Sequence, residues 1–228
     1  MWDFVFRLVL AHFLADFALQ FDGLYRLKQR GHLGLAAHSA VVLACSLALA
    51  RPYLAPVSVG LVAGLTATHY CLDYLKNNWR RYPAALAGFL LDQVAHLGVI
   101  LLVALLWAQS EGAGRGAPAW VILAPGLIAA TQFMSFVTYY LDRSGQGYPA
   151  PYRRRYAALA LQLVAYAAAA GAVLGSRPLW LSASAAAAAV QFATGRNAGP
   201  QGLTARWAGP LGAVLLGAGA AMLARLGA

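Results

Sequence analysis

Apolar residues in this chain are grouped into long runs, and polar residues are concentrated in the short segments between them. Most runs are about twenty residues long, which matches a helix that crosses the hydrocarbon core of a bilayer. Prolines, glycines and basic residues mark the breaks. The pattern predicts helices at residues 2–20, 33–50, 54–76, 84–108, 118–141, 154–175, 178–194 and 207–226.

The fold class predicted by this pattern is all-α, a polytopic transmembrane helical bundle. A membrane β-barrel would instead alternate apolar and polar residues in segments of about ten. The segment 178–194 is short and consists mostly of alanine, so it is either a span or a re-entrant segment. The expected number of spans is therefore about eight, within a range of about six to eight.

Composition strengthens the membrane interpretation. The 228 residues are 61% hydrophobic and 11% charged, with a mean hydropathy of +0.62. Soluble domains carry about a quarter charged residues, so this chain has too little polar surface to cover a globule in water. Its net charge of +10 does not indicate nucleic acid, because the basic residues lie in clusters between the apolar runs. Cys45 and Cys71 lie within apolar runs and are expected to be free thiols.

The basic residues also predict the orientation of the chain in the membrane. Alternate loops carry twelve basic residues against three, and loops rich in Lys and Arg stay on the cytoplasmic side. The odd-numbered loops are therefore predicted to be cytoplasmic, with both termini outside. The basic residues of the odd loops are Arg26, Lys28, Arg30, Lys76, Arg80, Arg81, Arg143, Arg153, Arg154, Arg155, Arg196 and Arg206, and those of the even loops are Arg51, Arg115 and Arg177.

Seven ionisable residues lie inside the first four predicted helices, where each costs a few kcal/mol on insertion. Six of them form His and Asp pairs four residues apart, a spacing that puts both side chains on one helical face. With the predicted orientation, all seven fall in one layer near the cytoplasmic ends of their helices. These residues are His12, Asp16, His38, His69, Asp73, Asp92 and His96.

Imidazole and carboxylate groups gathered in a dry layer are typical ligands of a divalent transition metal. We expect zinc first, with iron or manganese as alternatives, and either one or two ions because seven donors exceed one tetrahedral shell. Some aspartates would then orient histidines rather than bind metal. Two other interpretations remain open. The pairs could simply hydrogen-bond within their helices, or the set could relay protons or ions through the membrane.

The ordered motif set resembles an uncharacterised family of prokaryotic membrane proteins, domain of unknown function 3307, over roughly the first 110 residues. The residues that carry the resemblance run from His12 through Gln20 and His38 to His69-x-x-x-Asp73-x-x-Lys76 and Asp92-Gln93-x-x-His96. The resemblance implies a prokaryotic cytoplasmic membrane and no particular activity. It also implies that Gln20, Lys76 and Gln93 belong with the His/Asp set, and we expect these three to contact the substrate.

The two halves of the chain differ in chemistry. Residues 1–110 hold the His/Asp set, whereas residues 111–228 are rich in alanine and glycine. Small residues let helices approach closely, so the second half is expected to be a packing surface and a possible homo-oligomer contact. Both halves are expected to form one integral membrane domain in contact with membrane lipids.

The leading hypothesis is a metal-dependent membrane hydrolase that acts on a lipid-like substrate at the cytoplasmic side. The histidines would be ligands, and Asp16, Asp73 and Asp92 would share the roles of ligand, orienting partner and general base. The alternative is a transporter or channel for divalent cations or protons. A third hypothesis is a structural metal that locks the helices together.

Overall fold

The computed structural model describes residues 1–79, 85–111, 116–143, 156–175, 187 and 203–227. The chain divides into two compact units, Met1–Ala117 and Pro118–Ala228. All regular structure among the described residues is helical, so the predicted all-α class is confirmed. Apart from Ala187, the predicted segment 178–194 lies outside the described residues.

The first unit is built around four long helices. α1, α3, α4 and α5 form a closed bundle in which each helix contacts two neighbours. A single 3₁₀ turn with Pro52 at its start joins α3 to α4, and this short link makes the two helices antiparallel. The helices of this unit are α1 (Trp2–Phe13), α2 (Asp22–Lys28), α3 (His32–Leu49), α4 (Pro56–Asn78) and α5 (Ala85–Glu111).

The bundle is apolar over one half of its length. Leu8, Leu65 and Ile100 are buried there, each four residues from a histidine of its own helix. Since four residues make about one helical turn, this apolar layer stacks directly on the histidines. The apolar cluster consists of Phe4, Val5, Leu8, Ala50, Val62, Leu65, Ile100, Val103, Ala104 and Trp107.

A buried ion pair closes this apolar half at the start of α1. The Arg7 guanidinium donates to the Asp3 carboxylate at 2.9 Å and to the Leu49 carbonyl oxygen at 3.1 Å. The Tyr53 hydroxyl donates to the same carboxylate. The pair ties α1 to the turn after α3, which explains how two charged residues are accommodated among apolar side chains.

The chain after α1 differs from the prediction of a plain loop at residues 21–32. A π-helical segment, Leu14–Ala18, continues α1, and α2 then turns back at 96° to it. Gly31 has φ 130°, a conformation that residues with a Cβ rarely adopt. A Cβ on Gly34 would lie 1.9 Å from the Leu27 carbonyl oxygen, so only glycine lets α2 pack this closely on α3.

Among the described residues, four helical segments are long and apolar enough to span a membrane. A fifth span results if α1, its π segment and α2 are counted together as one bent crossing. The 23 residues of α4 are also long enough for a span, but its C-terminal half carries the polar residues of the site. The chain is therefore a polytopic helical membrane protein. The four segments are His32–Leu49, Leu86–Glu111, Ala119–Leu141 and Ala208–Leu226.

The second unit packs small residues against one aromatic side chain. The Tyr166 hydroxyl donates to the Leu123 carbonyl oxygen at 2.6 Å, and a Cβ on Gly217 would lie 2.4 Å from the Tyr166 carbonyl oxygen. Alanines 130, 165, 213 and 220 fill the surrounding core. The helices are α6 (Ala119–Ile128), α7 (Met134–Arg143), α8 (Tyr156–Gly175) and α9 (Leu203–Gly227), with a π segment, Ala129–Phe133, between α6 and α7.

Candidate metal centre

The structure brings the seven predicted His and Asp residues together inside the first unit. Each is at most 6% exposed, and His38 and Asp73 are fully buried. Asp16 lies in the π segment, a local widening of the helix that is frequent at functional sites. α1 supplies His12, α3 supplies His38, and the other four come from the i,i+4 pairs of α4 and α5.

Four ligand atoms form the centre of the cluster. The Nε2 atoms of His38 and His69 are 3.1 Å apart. The Oδ1 atom of Asp16 lies 3.1 Å from the first nitrogen and 3.5 Å from the second. The Oδ2 atom of Asp73 lies 3.6 Å and 3.3 Å from the same two nitrogens. Each of the two oxygens therefore lies within 3.6 Å of both nitrogens, and the four atoms surround one small volume.

These separations lie close to the edge lengths of a metal coordination tetrahedron. Ligands at about 2.0–2.2 Å from zinc are separated from each other by about 3.3–3.6 Å in tetrahedral geometry. Of the five separations given above, three fall in this range and the two of 3.1 Å lie just below it. The Oδ1 atom of Asp73 is buried and accepts no hydrogen bond from the described residues, as expected for a carboxylate arranged to face a cation. The donor set of two imidazoles and two carboxylates fits a divalent transition metal.

His96 lies beside these four atoms with one nitrogen available. Its Nδ1 atom donates to the Asp92 carbonyl oxygen of its own helix at 2.7 Å. That bond fixes the tautomer and leaves a lone pair on Nε2, the usual arrangement of a metal-binding histidine. The Nε2 atom is buried and without a hydrogen-bond partner among the described residues.

His12 adjoins the centre through its ring and its neighbours. Its ring stacks on that of His96, with centroids 5.1 Å apart and planes at 16°. Its Nε2 atom donates to the Gln93 side-chain oxygen at 3.2 Å, and its Nδ1 atom lies 3.8 Å from Asp16 Oδ1. His12 is thus farther from the four central atoms than His38 and His69 are from each other.

Two lysine ammonium groups contact the carboxylates of the cluster. Lys28, at the end of α2, lies 2.6 Å from Asp73 Oδ2, and Lys76 lies 2.6 Å from Asp92 Oδ2. The Gln93 amide also donates to Asp92 Oδ2, at 3.1 Å. Lys76 follows Asp73 by three residues in the same helix, but its side chain reaches across to Asp92 on α5.

The groups that could hold an ion overlap in their membership. Beyond the central atoms, ligand atoms of Asp73, Asp92 and His96 lie within 4.8 Å of one another, as do those of His12, Asp16 and His69. Asp73 and His69 each belong to two sets, so they are placed to link neighbouring ion positions. A small cavity with room for about one water molecule borders His12, His69 and His96 on the apolar side.

The sequence located most of this site but missed one residue. Gln93 and Lys76 contact the cluster as described, and Gln20 is buried just after the π segment. Lys28 was counted only as a basic loop residue, yet its side chain is 6% exposed and contacts Asp73. In the sequence, Lys28 looks like one more basic residue of the loop that contains Arg26 and Arg30. No spacing rule connects residue 28 with residue 73, so the contact could not be predicted.

The fold and the site define one class of protein. Its members are polytopic helical membrane proteins with a buried His/Asp/Lys cluster among their helices. Within this class, residues 4–115 match a family model described as a protein of unknown function (DUF3307). This part of the chain belongs to that family, and the resemblance indicated by the motif order is confirmed. No curated protein and no solved structure matches the chain.

Proposed function

We propose that the cluster binds a divalent transition metal, preferably zinc, and that the protein is a metal-dependent hydrolase of a lipid-like substrate. One observation carries the proposal: ligand atoms of Asp16 and Asp73 each lie 3.1 to 3.6 Å from the Nε2 atoms of both His38 and His69, which are 3.1 Å apart. The proposal includes a prokaryotic cytoplasmic membrane, a site on the cytoplasmic side and both termini outside. The alternation of basic loops supports this orientation.

The side chains around the four central atoms have separate tasks in this proposal. A bound divalent ion would lower the pKa of a coordinated water toward about 7. His96 would present Nε2 to a second ion or to the water, since its other nitrogen is already bonded within the helix. Asp92 is the best placed general base, because it lies beside the central atoms and is held by Lys76 and Gln93. The cavity beside the histidines would accommodate the water.

The location of the polar groups favours an enzyme over a transporter. The His/Asp/Lys cluster occupies one half of the first unit, and the other half is filled by the apolar cluster that includes Leu8, Leu65 and Ile100. An ion or proton pathway would need polar groups or water through that apolar half as well. Among the described residues, the only buried charged groups there are the Asp3–Arg7 pair, which is satisfied internally. The other polar group beside the cavity, Ser46, is uncharged.

A direct test incubates the purified, zinc-loaded protein with a total lipid extract and follows the lipids by mass spectrometry. We expect one lipid species to decrease while its hydrolysis products accumulate. A chelator should stop the reaction and added zinc should restore it. Asp92→Asn should be inactive, whereas His32→Ala, outside the cluster, should be as active as the wild type.

A flux measurement distinguishes the enzyme from the transporter. The same preparation in proteoliposomes should show no metal-ion or proton flux. Flux that requires His69, together with unchanged lipids, would contradict the hydrolase and favour the transporter.

A further inference from the structure

Two lysines are held against aspartates of the cluster, and one of them, Lys28, is buried. Lys28 Nζ contacts Asp73 Oδ2 and Lys76 Nζ contacts Asp92 Oδ2, both at 2.6 Å. Ammonium groups are strongly hydrated and are seldom buried without a specific anionic partner. Exposed basic side chains, such as those of Arg26 and Arg30, would serve to orient the chain in the membrane equally well.

The charges of the cluster do not balance once an ion is bound. With neutral imidazoles, three carboxylates (Asp16, Asp73, Asp92) against the two ammonium groups leave one negative charge. A divalent ion changes this to one positive charge. Uncompensated charge in a buried site is costly, so the metal-loaded site favours an anionic ligand over a neutral or cationic one.

The chemistry of the cations indicates which anion. Lysine binds phosphate as a compact point charge, whereas planar carboxylate recognition is typically the task of arginine. Both described cations that contact the cluster are lysines. When a metal takes over the charge of Asp73, the Lys28 ammonium is left with a weakened partner. Lys76 keeps Asp92 as its partner, but an ammonium group has three donors and can bind a second anion as well.

The two lysine side chains also differ in how far they are exposed. The Lys76 side chain is 32% exposed, while the Lys28 side chain is 6% exposed. A ligand would therefore reach Lys76 first and Lys28 deeper, next to the central atoms. Lys28 is placed by α2, whose end is tied to α4 through a bond from the Asn77 side chain to the Lys28 carbonyl oxygen at 3.4 Å.

We propose that Lys28 and Lys76 bind the phosphoryl headgroup of an anionic substrate in the metal-loaded site. This inference rests on the proposed metal-dependent function and adds the chemical class of its substrate. Lys28 thereby becomes a substrate-binding residue, and α2 becomes the element that delivers it. The phosphoryl group is shared by phospholipids and by free phosphate, and the experiment distinguishes these sources.

The test is native mass spectrometry of the zinc-loaded protein in detergent, because one spectrum counts both bound metal and bound ligand. Three probes are compared: phosphatidic acid, diacylglycerol with the same acyl chains, and inorganic phosphate. We expect the wild type to retain phosphatidic acid, and a Lys28→Met/Lys76→Met variant to retain it at least tenfold less with unchanged zinc. Diacylglycerol retention should be equal in both proteins.

The matched control is Arg26→Met/Arg30→Met, which removes the same charge from exposed positions of the same segment. This variant should retain phosphatidic acid like the wild type. Lys76→Met alone provides a second test if the double variant is unstable, since Lys76 is the more exposed lysine, and it should weaken retention several-fold. Inorganic phosphate that displaces phosphatidic acid at equal concentration would identify soluble phosphate as the source, and displacement only at large excess would identify the lipid.

Three results would overturn the inference. Phosphatidic acid could be retained equally by the wild type and the lysine variants. The Arg26/Arg30 control could lose it to the same extent, which would indicate unspecific attraction. The lysine variants could lose zinc together with lipid, which would make the lysines positioning residues for the metal ligands. A wild-type spectrum without zinc is a different failure, because it contradicts the metal centre itself.

Discussion

Individual side chains of the cluster are placed unequally around the central volume. His69 belongs to two of the possible ion-binding sets. His12 touches the centre from outside, with its nearest carboxylate contact at 3.8 Å. His32 is exposed and bonds the Tyr70 hydroxyl at 2.6 Å. These placements give the three histidines different expected contributions to metal affinity.

We expect His69→Ala to weaken zinc binding by more than about 100-fold and His12→Ala by about 10- to 100-fold, the range of residues that support a ligand. His32→Ala should leave the affinity unchanged. Competition with a chromogenic chelator measures all three dissociation constants. An affinity in His32→Ala as low as that in His69→Ala would contradict the placement of the site.

The spacing of residues in sequence predicted some of these contacts and not others. The i,i+4 rule identified His69 with Asp73, since the rule depends only on helix geometry. It does not predict the contact of Lys76 with Asp92, which lies 2.6 Å away on the neighbouring helix. Contacts between helices depend on their rotation and separation, which spacing within one helix does not contain.

At the scale of elements, α2 is the part of the site with the tightest backbone packing. A Cβ on Gly34 would lie 1.9 Å from the Leu27 carbonyl oxygen and 2.5 Å from the Lys28 nitrogen. Gly34→Ala must therefore displace α2 and lower the free energy of unfolding, by about 1–3 kcal/mol. Lys28 would move with the helix, so retention of phosphatidic acid should fall too.

The matched control for this change is Gly64→Ala, because nothing lies within 4 Å of a Cβ at that position. Alanine in a helix should be neutral or stabilising there, by up to about 0.5–1 kcal/mol. Reversible unfolding in mixed micelles measures both variants. Equal stability of Gly34→Ala and Gly64→Ala would contradict the close packing of α2 on α3.

The second unit offers a comparable pair on α9. A Cβ on Gly217 would lie 2.4 Å from the Tyr166 carbonyl oxygen, whereas Gly219 has nothing within 4 Å. We expect Gly217→Ala to lower the melting temperature in detergent and Gly219→Ala to leave it unchanged or raise it. A melting temperature lowered equally by both substitutions would argue against the packing of α8 on α9.

Long apolar helices were predictable because the length of each run of hydrophobic residues can be counted in the sequence. Helix α3 at His32–Leu49 and helix α5 at Ala85–Glu111 lie close to the predicted 33–50 and 84–108. The turn back into α2 was not predictable, since it depends on Gly31 at φ 130° and on the missing Cβ of Gly34. The effect of both features can be recognised only when the position of α3 is known.

At the scale of the whole molecule, the first unit is polarised along its axis. One half holds the apolar cluster and the other half holds the His/Asp/Lys cluster, so a single bundle combines a stable core with a polar site. The alanine- and glycine-rich second unit uses Gly217 and Tyr166 in its own packing. A homo-oligomer formed through its helices stays a prediction, and its outward-facing residues, such as Leu215 at 70% exposure, are the positions to test by cross-linking.

Elemental analysis tests the central claim most directly. The wild-type protein, purified in detergent without chelators, is compared with a His38→Ala/His69→Ala variant, which removes both central nitrogens. We expect about one or two equivalents of zinc, iron or manganese in the wild type and nearly none in a variant that remains folded. Wild-type protein without metal, or a variant that keeps the same metal content, would contradict a metal centre at this cluster.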